Sequence, residues 1–136
     1  MKYSSRKPAL VRLGLFVAPL LFGAAASAHH SFAAEFDANL PVQLSGTVTK
    51  VEFMNPHSWI HIDVEKEDGS VESWAIEGGT PNTLFRRGIN KNSLPVGTEI
   101  NVDGYQARDG SNRASGRDIT LGDGRKLFLD GSAPPQ

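Results

Sequence analysis

The stretch "VQLSGTVTKVEFM", residues 42–54, alternates apolar and polar positions and then changes phase. Val42, Leu44, Gly46 and Val48 share one parity, while Val51 and Phe53 take the other. Side chains on a strand point to opposite faces in turn, so a one-residue phase change would throw half of these positions out of a flat buried face. Both halves stay inward only if one extra residue is inserted as a β-bulge, which bends the strand and increases its twist. The expectation is a long, bent first strand of the kind that lets a sheet close on itself.

The next stretches fit that frame. "HSWIHIDVE", residues 57–65, alternates after Asn55-Pro56, with Ile60, Ile62 and Val64 on one face and His57, Trp59, His61 and Asp63 on the other. β-branched residues at period two predict a second strand. Asp68-Gly69 signals a hairpin, and "VESWAIE" gives a third strand with Trp74 and Ile76 on one face. In "GGTPNTLFRRG" Thr80 is an N-cap, Pro81 takes the first helical position and Gly88 closes a short helix. "LPVGTEINVDGY" and "RDITL" supply a fourth and a fifth strand, and Asp123-Gly124 turns into "RKLFL".

The predicted order is β-β-β-α-β-β, an all-β chain with one short helix. That is the element order of an OB-fold, a five-stranded, partly open barrel. A small β-sandwich is the alternative, disfavoured by a helix between strands three and four.

Both ends lie outside the predicted barrel, which spans 42–129. Residues 1–28 begin with Lys2, Arg6, Lys7 and Arg12, continue through an apolar run from Leu13 to Ala26, and end small-x-small at Ala26-Ser27-Ala28. This is the pattern of a secretory signal peptide, too short in its apolar run for a transmembrane helix. Residues 29–41, "HHSFAAEFDANLP", have no steady period and read as an N-terminal arm pinned by Phe32 and Phe36. Residues 130–136 read as a disordered tail. The expected compartment is a bacterial periplasm, with no stable membrane insertion once the signal is cleaved.

Removal of the signal takes four of the fourteen Lys and Arg and none of the fifteen Asp and Glu, so the mature chain carries ten cations against fifteen anions, net −5. An acidic chain is a poor binder of nucleic acid. With no Cys, disulfides, thiolate metal sites and Cys nucleophiles are all excluded. There is no Gly-x-Ser-x-Gly elbow, no phosphate-cradling Gly loop and no His-Glu-x-x-His. The acids Glu65, Glu67 and Asp68 do not follow the spacing of a calcium loop. A non-catalytic protein is therefore expected.

Binding chemistry is carried first by the four histidines, His29, His30, His57 and His61. His57 and His61 have the His-x-x-x-His spacing of helical zinc sites, but on a strand their Cα atoms would be about 13 Å apart at roughly 3.3 Å per residue. Two imidazoles on one ion, with bonds near ~2.0–2.1 Å, need a far closer approach. They cannot chelate together unaided.

His29 and His30 differ, because signal removal leaves them beside a free α-amine. Cleavage after Ala28 makes the amine and ring of His29 a chelate. Cleavage after Ala26 gives Ser-Ala-His-His, where the amine, two amides and the His29 ring suit square-planar Cu(II) or Ni(II). An arm folded across the second strand would allow His57 to add a ligand.

A second set of candidates is a polar face with an aromatic, Trp59 and His61, together with Arg108, Arg113 and Arg117 of "ARDGSNRASGR". That segment is expected to be the loop between strands four and five, a region OB-folds use for oligonucleotides and oligosaccharides. Arg suits capture of carboxylate or phosphate.

The blocks "HHSFAAEFD", "GTVTKVEFMNPHSWI", "TPNTLFRRG" and "GYQARDGSNRASGRDITLGDGRKLF" together resemble a family of exported bacterial proteins, a domain of unknown function. The resemblance covers nearly all of the mature chain and implies an exported small β-domain. It draws attention to His29, His30, Asn55, Pro56 and His57, and brings no activity with it. His61 stands where such sequences more often carry an aromatic.

Two functions are consistent with these residues. One is an exported binding protein that holds a transition metal, copper above all, through His29, His30 and His57. The other is an OB-type module that binds a periplasmic protein partner, an oligosaccharide or an anion through Trp59, His61 and the three arginines.

Overall fold

The computed structural model describes residues 32–129 and Gly131. The expected signal segment, His29, His30, and residues 130 and 132–136 of the expected tail lie outside the described residues. Six strands and one capped helix follow in order: β1 (Phe36–Glu52), β2 (Trp59–Glu65), β3 (Val71–Glu77), α1 (Pro81–Arg86), β4 (Glu99–Ala107), β5 (Arg113–Leu121) and β6 (Lys126–Phe128). Residues 32–35 add a helical turn ahead of β1.

The phase change in the first strand is realised as a bulge. β1 pairs with β2 through Thr47↔Asp63 and Val48↔Ile62, then skips one residue so that Lys50 faces His61 and Val51 faces Ile60. Val48 is fully buried and Val51 packs against the same core. The earlier part of β1, from Pro41, pairs with β4 as far as Thr47, which is paired on both sides. One strand thus serves both halves of the sheet. Gly46 lies at the changeover, where an added Cβ would stand 2.6 Å from the carbonyl oxygen of Asp63. Only a glycine lets the two backbones approach this closely.

The sheet order is β3-β2-β1-β4-β5-β6, and β3 also pairs with β5. That last pairing is parallel, through Ala75↔Arg113, Ile76↔Ala114 and Glu77↔Ser115, and closes five strands into a ring. β6 extends β5 outside the ring. The architecture is the all-β, OB-like barrel expected from the element order.

Its interior is lined by Val48, Ile60, Ile62, Trp74, Ile76, Ile100, Val102, Ile119 and Leu121, all buried. α1 lies between β3 and β4, where its one buried residue, Leu84, joins Ile89, Leu94 and Leu129 in the same core. The Thr80 hydroxyl accepts from the Thr83 amide, Pro81 opens the helix, and Gly88 follows at φ +82°. Each of these is the residue type its position demands.

Three boundaries differ from expectation. β1 begins at Phe36, inside the segment read as an arm, because Phe36 pairs with Ala107 before an irregular stretch ends at Pro41↔Tyr105. β2 begins at Trp59, so His57 and Ser58 belong to the connection after the cis Asn55–Pro56 bond. β5 begins at Arg113, so Arg113 and Arg117 are strand residues and the β4–β5 loop is short.

Candidate functional site

The connection between β1 and β2 is tied to the end of β3. The Ser58 amide donates to the Gly79 carbonyl at 3.0 Å, and the Gly78 amide returns a bond to the Ser58 carbonyl at 2.8 Å. This two-bond bridge carries His57 to the side of Glu77, where Nδ1 lies 3.6 Å from Oε1. The Nδ1 atom is buried and has no hydrogen-bond partner among the described residues. The side chain as a whole keeps 29% of its surface exposed, so with Nδ1 buried the exposure belongs to its other atoms.

Glu77 alternates with Ile76 and therefore belongs to the outer face of the barrel, yet it is only 3% exposed. Its cross-strand neighbour Ser115 and, one strand further, Tyr105 are buried as well. Two chain segments cover this row. The C-terminal one runs from Leu129, whose carbonyl accepts from Gly79, to Gly131, whose amide donates to Gly116. The N-terminal one brings Phe32 edge-on to Tyr105 at 5.7 Å and stacks it on Phe36 at 5.9 Å. Glu77, Tyr105 and Ser115 all make further polar or ring contacts, so this is a partnered polar layer under a lid of chain.

Two of the three arginines serve this N-terminal segment. Arg108 Nε donates to the Phe36 carbonyl at 3.0 Å, and the Arg108 amide bonds the Glu35 carbonyl at 2.9 Å. Arg113 reaches Glu35 Oε2 at 3.4 Å and places its guanidinium 6.0 Å from the centre of the Phe36 ring. Arg117 turns to Asp118, with Nε 3.1 Å from Oδ2. That contact, more than the charges of Asp118 and Asp103, raises the Arg117 pKa. Arg117 also borders a groove of about 480 Å³ lined by Pro41, Gln43, Asp103 and Tyr105. The three arginines do not converge on one ligand.

On the face of β2 opposite Ile60 and Ile62, Trp59, His61 and Asp63 are half-buried, and His57 is not among them. His61 Nε2 lies 2.8 Å from Glu52 Oε2, whose other oxygen holds Lys50 at 2.6 Å. The Lys50 contact first and the His61 contact second hold the Glu52 carboxyl below its ordinary range. His61 is thus engaged in a surface trio, away from His57. Among the described residues no group of three or more His, Asp or Glu could hold a metal.

Glu77 is the residue that the sequence pattern conceals. In "VESWAIE" it alternates outward like any surface acid, and its burial comes from segments distant in sequence.

No curated protein and no solved structure matches the chain significantly. A family model does, over residues 19–116, most of the chain, and on that match the protein belongs to DUF6152, a family of unknown function.

Proposed function

We propose that this chain is an exported, non-catalytic binding protein that takes one transition-metal ion, copper in the first place, through His29 and His30 with His57 as a further ligand. The observation that carries the proposal is the anchoring of Phe32. Its ring rests on Tyr105, which pairs with Ser115, which pairs with Glu77, the residue beside His57. Two strand spacings of about 4.8 Å separate Tyr105 from Glu77. A chain covers up to about 3.5 Å per residue, so His29, three residues before Phe32, commands a reach of about 10 Å. A reach of that order, set against those two spacings, supports a site whose ligands come from two parts of the chain. Nitrogen donors of this kind suit Cu(II) and Ni(II).

Native mass spectrometry of the exported protein, purified without an N-terminal tag, tests this. The metal-free mass fixes the first residue as Ser27 or His29. One copper retained at stoichiometric Cu(II), and lost in His29→Ala, is the expected result. No copper retained would overturn the proposal and leave the groove beside Arg117 as the next candidate, to be probed with anionic oligosaccharides.

A further inference from the structure

His57 has two ring nitrogens in unlike surroundings, and they can be told apart. Nδ1 is buried, without a hydrogen-bond partner among the described residues, and faces Glu77 Oε1 at 3.6 Å. That distance is beyond a hydrogen bond but within the range of a strong electrostatic contact. A bare lone pair on Nδ1 beside the carboxylate oxygen, in a water-poor site, is repulsive. A proton there reverses the sign. The backbone bridge between Ser58 and Gly78-Gly79 holds the His57 main chain beside the end of β3, and Glu77 is itself set by the Glu77↔Ser115 and Trp59↔Glu77 pairings on either side.

We infer that Glu77 is a positioning residue which holds the proton on His57 Nδ1 and thereby presents Nε2 as a ligating nitrogen. The inference rests on the metal-binding proposal above for its ligand, and on geometry alone for its tautomer. It reproduces a general arrangement in which a carboxylate orients the imidazole bound to a metal and makes it more basic. Chemically, the group served is a borderline divalent cation such as Cu(II), which takes neutral imidazole. Glu77 need not touch the ion.

The test has two parts. In the metal-free wild-type protein, nitrogen-15 NMR of the His57 ring at pH 8 should report a proton on Nδ1 and a bare Nε2. In Glu77→Leu, shown to be folded by its amide spectrum, that preference should relax towards a mixture, and copper affinity measured by chelator competition should fall about 10–100-fold. A proton on Nε2 in the wild type overturns the inference, whether or not copper binds. So does unchanged copper affinity in folded Glu77→Leu. If the wild-type protein takes no copper at all, the metal-binding proposal fails and Nε2 loses its assigned role, even where the Nδ1 proton is seen.

Discussion

Gly116 carries no side chain because three groups occupy the space a methyl would need. An added Cβ would stand 2.5 Å from Leu129 Cδ1, 2.7 Å from Ile76 Cγ2 and 3.1 Å from the Glu77 carbonyl oxygen. Leu129 could rotate aside, but Ile76 is fully buried and the Glu77 oxygen is backbone. Gly116→Ala should therefore destabilise the fold by about 1–3 kcal/mol, the usual cost of overpacking. A lower urea midpoint at unchanged slope is the expected signature. Arg117 gives a contrast between two ion pairs. Its partner Asp118 keeps only 10% of its side chain exposed, whereas in the Arg125–Asp123 pair both sides are open to water at 70% and 53%. Removing Arg117 leaves a mostly buried carboxylate short of a donor, so Arg117→Ala should cost about 1 kcal/mol. Arg125→Ala should leave the urea midpoint where it was.

Elements were legible in the sequence to the degree that their side chains alternate by size. The bulge after Val48 was readable because Val51 and Phe53 are large and change parity together. The beginning of β5 was not, because its first inward positions are Ala114 and Gly116, which leave no apolar alternation in "RASGR". Gly116 is small because Ile76 and Leu129 fill the room above it. β1 was read too short because Pro41 and the irregular pairing before it break the period. The candidate site fared worse because contacts distant in sequence decide it: Glu77 is buried beside Gly131, whose approach no local pattern reports.

Two substitutions test the elements. Thr80→Ala removes the acceptor for the Thr83 amide and should cost about 1 kcal/mol, as lost N-caps do. Phe36→Ala should cost more, about 3 kcal/mol. The ring is 1% exposed and joins Phe32 to Arg113. The larger effect would locate stability in the N-terminal cover rather than in the helix.

For the whole molecule, acid is the condition that reaches many parts at once. Asp37, Glu52, Asp68, Glu72, Asp109 and Asp123 all titrate below the ordinary 3.8 of Asp or 4.5 of Glu. The causes are local. The Ser70 hydroxyl and amide lower Asp68, the Ser111 hydroxyl and amide lower Asp109, and the Arg125 amide and guanidinium lower Asp123. A carboxyl lowered in the folded state binds protons more readily once unfolded, so the unfolded chain takes up more protons as pH falls through this window. Each group contributes stability that is fully present above its unfolded value and disappears as pH drops through its folded one. Arg117, shifted upward by its contact with Asp118, titrates far above this window and adds no slope to it. No described helix is long and apolar enough to cross a membrane.

The urea midpoint should be level between about pH 6 and pH 8, then fall below about pH 4.5. The limb should survive high salt, because most of the leading contacts are hydrogen bonds at van der Waals range rather than distant charges. Asp68, Asp109 and Asp123 each accept from the amide two residues on, at 2.9, 3.0 and 3.0 Å. Asn can make the same turn without titrating. The triple variant Asp68→Asn, Asp109→Asn, Asp123→Asn should therefore keep the fold and show a shallower acid limb. An acid limb as steep as that of the wild type would assign the loss to other carboxylates, and a limb that vanished in high salt would assign it to the ion pairs of Glu52 and Glu72.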